Sequence, residues 1–170
     1  MTNEIVLIKP TLKLAADFHR LADEHLAHGD NRYAEAAHDV AAFITMCEAH
    51  DAGRSLPPGW VPQSTFWLVR NGERILGCSR VRHTLSTSLS HRGGHIGYDV
   101  RPSERGKGYG NLLFALTLRQ ARELGFAEVL VTADDANVAS WKIVERSGGR
   151  REDGRFVGPN GPFRRYWVST

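Results

Sequence analysis

The chain has 170 residues, 41% of them hydrophobic and 24% charged, with a formal net charge of +3. That length fits one domain spanning residues 1–170, large enough to bury a core without disulfide support. So small a cationic excess does not demand nucleic acid as a partner, and Cys47 and Cys78, far apart and without metal-ligand spacing, read as reduced thiols of a cytoplasmic protein. The opening MTNEIVLIKP carries an acid and only four apolar residues in a row. It reads as neither signal peptide nor membrane span, and no later run is long enough for one.

In chain order, EIVLIKP predicts a strand ended by Pro10, and Thr11 a cap for a helix through LKLAADFHRLADEHLAH, stopped at Gly29. A second helical pattern runs from Tyr33 to about His50, and the proline-rich DAGRSLPPGWVPQ is a loop. STFWLVR and RILGCSRVRHTL read as strands joined by an Asn71-Gly72 hairpin turn. A polar connection, LSTSLSHRGG, leads to the strand HIGYDV. Beyond RPSERGKGYG comes a helix, NLLFALTLRQARELG, with apolar residues 112, 113, 116 and 124 on one face and Gly125 as its stop. EVLVTA is a strand, NVASWKIVERS a helix stopped by Gly148-Gly149, and two strands near 150–157 and 162–168 surround a GPNGP turn. This β-α-α-β-β-β-α-β-α-β-β order predicts an α/β (mixed α+β) fold, with a mixed, mostly antiparallel central sheet flanked by helices.

The segment RPSERGKGYG places Gly106, Gly108 and Gly110 at alternate positions, with Arg105, Lys107 and Tyr109 between them. A strand, a glycine turn and a helix make a good anion site, because the first helical amides have no partner and sit at the positive end of the dipole. Glycines let the backbone approach phosphate oxygens closely. A plain turn with a glycine cap and two solvated cations is the competing reading. A P-loop is excluded because Gly110 precedes Asn111, and a dinucleotide fingerprint because the spacing is GxGxG.

VRPSERGKGYGNLLF resembles the acyl-CoA pyrophosphate loop of the GNAT acetyltransferase superfamily, with Arg105, Gly108 and Gly110 at its fixed positions. DDANVASWKIVERSGG resembles that superfamily's Asn-x-x-Ala/Ser segment, with Asn137 and Ser140 at the matching positions. The resemblance is good over about residues 64–150, and is close to a bacterial subgroup of acetyltransferases of unassigned substrate. It implies an acyl-CoA N-acyltransferase fold and transfer of acetyl from acetyl-CoA to a primary amine, without a metal or a covalent enzyme intermediate. It further implies that amides of residues 106–110 hold the CoA pyrophosphate. The strand ending at Val100 would diverge from the strand 128–133, pantetheine would lie in the gap, and Asn137 would bind its pantetheine or cysteamine part.

Attack on a thioester needs a neutral amine, and an alkylamine of pKa near 10.4 is only about 0.04% neutral at pH 7. A base or water chain recovers part of that cost, and a backbone N–H near Val100 is placed to stabilise the carbonyl oxygen. Strand alternation puts His95, Gly97 and Asp99 on one face of HIGYDV and Ile96, Tyr98 and Val100 on the other. His95 and Asp99 are therefore the candidate bases, with a structural role for each as the competing reading, and His83 is a weaker candidate. The Tyr that many family members place seven residues after the Asn is Val144 here, which leaves water, Ser140 or a remote Tyr166 to assist the leaving thiolate.

His25 and His28 share a helical pattern without further metal ligands, which suggests a solvated or substrate-facing helix. Either Phe66 or Trp67 is expected in the core, and Trp60 is a candidate cover for an acceptor pocket. Arg150, Arg151, Arg155, Arg164 and Arg165 keep an RNA- or DNA-binding reading open, diluted by Asp134, Asp135, Glu152 and Asp153. A non-catalytic acyl-CoA sensor is the other alternative. The expected partner is a small-molecule or peptide amine, with a homodimer left open.

Overall fold

The structure, a computed structural model, describes residues 4–170. The chain begins with strand β1 (Ile5–Ile8), helices α1 (Ala15–Ala27), α2 (Ala34–His38) and α3 (Val40–Asp51), and the hairpin β2 (Gln63–Arg70) and β3 (Arg74–Arg82). Next come α4 (Thr87–His91), β4 (Ile96–Val100), α5 (Tyr109–Glu123), β5 (Glu128–Asp134) and α6 (Val138–Arg146). Three strands finish it: β6 (Arg150–Arg151), β7 (Phe156–Gly158) and β8 (Gly161–Ser169).

Local chemistry sets several boundaries. Thr11 caps a short 3-10 turn, Leu12–Leu14, rather than α1 itself. The helical pattern expected from Tyr33 to His50 breaks at Asp39, which leaves helical geometry and accepts the Ala42 N–H to cap α3. The connection expected to be irregular contains α4, capped by Ser86. At the β2–β3 turn Asn71 and Gly72 both take positive φ, 54° and 69°, as the Asn-Gly pair predicts. The expected strand at 150–157 splits into β6 and β7, both paired with β8.

Two four-stranded antiparallel sheets result. The first has the order β1-β2-β3-β4; the second has β5-β8-β6, with β7 also on β8. Helices cover both faces. Trp67 and Val69 of β2 pack with Phe18, Leu21 and Ile44 on the face of α1 and α3. Phe66 packs on the other face with Phe114 and Leu118 of α5 and Val144 of α6. Both Phe66 and Trp67 are therefore core, because β2 is an inner strand of a sheet covered on both sides.

A buried ion pair ties α1 to the end of β4. Arg101, 1% exposed, places Nη1 2.9 Å from Asp17 and Nε 2.8 Å from Glu24. Asp17 also accepts the Ile75 N–H at 2.6 Å, so β3, β4 and α1 are locked together immediately before the glycine turn.

Candidate active site

The two sheets meet at one place. An isolated bridge pairs Gly94 with Val131, and His95 exchanges two hydrogen bonds with Leu130. Gly94 is required there: a Cβ would lie 2.8 Å from the Leu130 carbonyl carbon and 3.3 Å from Val131 Cα, at a φ of +63°. Beyond this junction β4 and β5 diverge. Arg82 N–H bonds to the His95 carbonyl and Arg101 N–H to the Leu76 carbonyl, so odd positions of β4 face β3. Alternation then turns the N–H and C=O of Ile96, Tyr98 and Val100 toward the gap.

A cleft of about 280 Å³ occupies the fork, lined by Gly97 and Tyr98 of β4, Thr132 of β5, and Asn137 and Ser140 of α6. Asn137 caps α6, its Oδ1 accepting the Ser140 N–H at 3.2 Å. The Tyr98 hydroxyl lies 3.1 Å from Ser140 Oγ. Burial raises the Tyr98 phenol above its ordinary value, against a smaller opposing effect of Ser140. Tyr98 is the residue that sequence reading passed over; its alternation with Asp99 placed it on the opposite face, without showing that this face borders the cleft.

The glycine turn stands at the wide end of the fork. Gly106 and Gly108 take φ of +76° and +87°, open space surrounds both, and α5 starts without a side-chain cap. The amides of residues 106–110 donate to no acceptor among the described residues. Gly110 sits close to α6: a Cβ there would lie 2.7 Å from Ile143 Cδ1, the movable end of that side chain, and 3.6 Å from Val100 Cγ2. Arg105 Nε caps the Val100 carbonyl at 3.2 Å, and Lys107 reaches Glu104 at 3.1 Å. Burial alone would raise the Glu104 carboxyl, but Arg74 and Lys107 hold it below its usual value. Tyr109 accepts from Arg70 at 3.2 Å. The cations of this segment thus tie the turn to neighbouring groups while its amides remain unpartnered among the described residues.

A second cavity, about 820 Å³, lies beside α2, α3 and β3 and includes Trp60, Cys47, Arg80 and Arg82 in its lining. Arg82 lines both cavities. Its Nη2 stands 3.9 Å from where a Gly97 Cβ would be, so the two cavities approach one another at Gly97.

His95 and Asp99 sit at opposite ends of β4 and are not brought together. An amide N–H can only donate, so His95 Nδ1 accepts from Leu130 at 2.9 Å and the neutral ring carries its proton on Nε2. Burial, and then the Arg82 guanidinium, lower the His95 pKa. Asp99 accepts from Tyr33 at 2.7 Å and lies 3.2 Å from Arg32. Its other oxygen faces His25 Nε2 at 3.5 Å. His25 is fully buried, with Nδ1 3.0 Å from Asp30, so it joins α1 to β4 instead of facing solvent. His83 Nε2 is 2.9 Å from Ser64 Oγ, in a cluster with Asp51. Val144 is fully buried, and Tyr166 is buried with its hydroxyl 2.8 Å from Glu145. Arg150, Arg164 and Arg165 each carry an ion pair, to Glu128, Asp135 and Glu152, which removes much of the field that a nucleic-acid surface needs. Among the described residues no group of three or more His, Cys, Asp or Glu is placed to hold a metal ion, and no helix is long and apolar enough to cross a membrane.

A forked sheet with a glycine turn at its mouth defines an acyl-CoA N-acyltransferase fold. Residues 4–150 match the family described as Acetyltransferase (GNAT) domain, and the chain belongs to that family. No curated protein sequence matches at a significant level. Among solved structures, RimJ of Mycobacterium smegmatis in complex with CoA-disulfide superposes with a TM-score of 0.74 at 16% identity, covering 98% of this chain and 82% of that one. The microcin C7 self-immunity acetyltransferase MccE, with acetyl-CoA and AMP, gives 0.72 at 16% identity over 99% and 94%. Spermidine N-acetyltransferase of Vibrio cholerae, with CoA and spermine, gives 0.68 at 14% identity over 97% and 95%.

Proposed function

We propose that the protein transfers acetyl from acetyl-CoA to a primary amine by direct attack in a ternary complex. The observation that carries this reading is the run of unpartnered amides at residues 106–110 beside a gap lined by main-chain groups of β4 and β5. Five unpartnered amides at and just before a helix start suit a pyrophosphate. An extended, amide-bearing pantetheine suits two strand edges that have parted. Arg105 supports this cradle through the Val100 carbonyl, and Lys107 through Glu104. Asn137 and Ser140 line the path of the pantetheine.

Acetyl-CoA supplies an activated carbonyl, which in this reading lies beside Gly97, where the smaller cleft meets the larger cavity. The amine enters from the larger cavity. One N–C bond forms, the C–S bond breaks, nitrogen loses a proton and sulfur gains one. The main-chain N–H of Tyr98 or Val100 faces the gap and is placed to stabilise charge on the carbonyl oxygen. Arg80 and Arg82 oppose a further positive charge in the cavity, so an amine docked there sheds its proton more easily than in water. We assign His95 and Asp99 positioning roles, because the lone pair of His95 is held by Leu130 and Asp99 Oδ2 by Tyr33 and Arg32, while Asp99 Oδ1, buried and without a hydrogen bond among the described residues, faces His25 Nε2 at 3.5 Å. The proton lost by nitrogen leaves through water. We assign Tyr98 as the proton donor to the departing sulfur; its hydroxyl lies 3.1 Å from Ser140 Oγ and donates to the Ser140 carbonyl at 3.2 Å, a bond it gives up to reach the sulfur.

The test is release of free CoA from acetyl-CoA across a panel of primary amines, with calorimetry of acetyl-CoA alongside. Amine-dependent thiol release is expected. Acetyl-CoA binding without release for any amine would favour a sensor. Salt-steep oligonucleotide binding without acetyl-CoA binding would overturn the assignment.

A further inference from the structure

The larger cavity has cations at its floor and acids at its rim. Arg80, partly buried, lines it from β3, yet makes no hydrogen bond and no ion pair among the described residues. Thr65 and Gly97 are its cross-strand neighbours and bring no charge. The nearest acid, Asp99, already faces Tyr33, Arg32 and His25. Glu35 and Asp39 line the same cavity but are exposed, and Asp39 is committed to capping α3. Arg82 gives Nη1 to the carbonyls of Gly93 and Gly94, at 3.2 and 2.8 Å, and has no carboxylate partner either. Asp99 supports the Arg80 cation at longer range, but no carboxylate among the described residues contacts either guanidinium, and a guanidinium without such a contact is costly to withdraw from water. Arginine's planar fork is the donor best matched to a carboxylate or phosphate.

From this we infer that the acceptor amine carries an anionic group, a carboxylate or a phosphate, which Arg80 binds while the amine lies toward Arg82 and Gly97. The inference rests on the larger cavity being the acceptor site of the proposed acetyltransferase. Arg80 and Gly97 are paired across neighbouring strands, about 5 Å apart. One acceptor bordering both residues would set its anion on the Arg80 guanidinium and its amine at Gly97, as an amino acid or an amino phosphate does. A polyamine is disfavoured, because its second ammonium would be set against Arg80.

Matched acceptor pairs test this: glycine against glycinamide, and phosphoethanolamine against ethanolamine, with spermidine as the cationic member. Each is titrated into the CoA-saturated protein and assayed for thiol release. The carboxylate and phosphate pairs report separately on the two sources of negative charge. At least one anionic member is expected to exceed its neutral partner tenfold or more in kcat/KM or affinity, with spermidine weaker still. Arg80→Gln should collapse that ratio to within threefold while acetyl-CoA affinity stays within twofold, and Arg80→Lys should restore part of it. Neutral or cationic members that match or exceed the anionic ones overturn the inference, as does a complete lack of binding and reaction by the anionic members. Preference unaltered in a folded Arg80→Gln also overturns it. Acetyl-CoA calorimetry separates the two failures: with binding intact, only the acceptor class is wrong; without it, the acetyltransferase reading falls as well.

Discussion

Gly108→Ala isolates what the shape of the glycine turn contributes. Gly108 has φ +87°, and an added Cβ would meet nothing within 4 Å, so the cost of alanine is confined to the backbone. Holding an L-residue in the left-handed region costs about 1–2 kcal/mol. Relaxation from that conformation would rotate the amides of Gly108 and Tyr109 away from a shared acceptor. Hydrogen bonds to charged groups contribute about 1.5–3 kcal/mol each, so losing two amounts to about 3–6 kcal/mol. That corresponds to a 10²–10⁴-fold weaker Kd for CoA, on the order of tenfold per 1.4 kcal/mol. Gly125→Ala is the matched control: φ is +94°, the space is equally open, and it lies at the other end of α5, about 22 Å away. Denaturant unfolding should show similar stability losses for the two variants. Calorimetry with CoA should show a large loss only for Gly108→Ala, and pantetheine, which lacks the pyrophosphate, should distinguish the variants little. Equal CoA affinities at equal stability would refute the phosphate role of the turn.

Three further outcomes follow from the geometry. Gly94→Ala sets a Cβ against the Leu130 backbone at φ +63° and should cost about 2–5 kcal/mol in denaturant unfolding, since neither strand can yield without opening the junction; a loss below 1 kcal/mol would contradict the junction. Tyr98→Phe should lower kcat about 10²-fold with little change in acetyl-CoA affinity. Because burial raises this phenol, the wild-type rate should keep its proton donor at neutral pH and lose it only above pH 10; an unchanged kcat would remove Tyr98 from the reaction. Glu104 is held below its ordinary value of 4.5, so its stabilisation is present above that pH and disappears as pH falls through the lowered value. Glu104→Gln should be less stable at pH 7 and show a shallower acid loss than the parent, measured by unfolding between about pH 3 and 7.

Local chemistry made much of this fold legible. The Asn71-Gly72 turn, the helix stop at Gly125 and the positive-φ glycines 106 and 108 follow from backbone preferences of a few adjacent residues. The break at Asp39 was available as an Asx cap but was masked by apolar periodicity running through it. The fork was expected from the family resemblance but not from residue patterning, because it depends on the contact of Gly94 with Leu130, more than thirty residues away along the chain. Sequence placed His95 and Asp99 on the correct strand, but their partners Leu130, Tyr33 and His25 come from distant elements. Arg80 and Arg82 share a face with Cys78 by simple alternation, and that signal stood in the sequence. What alternation does not reveal is that Arg80 would find no carboxylate opposite it.

The parted edges of β4 and β5 offer peptide groups, not side chains, to whatever lies between them. A recognition surface made of main chain is indifferent to most substitutions along it. Mutation can therefore rework the neighbouring residues without erasing the slot. Such a slot is compatible with a framework that superposes on another at only 16% identity. The larger cavity on the opposite side of the sheet is walled by side chains instead, so single substitutions there alter its shape and charge directly.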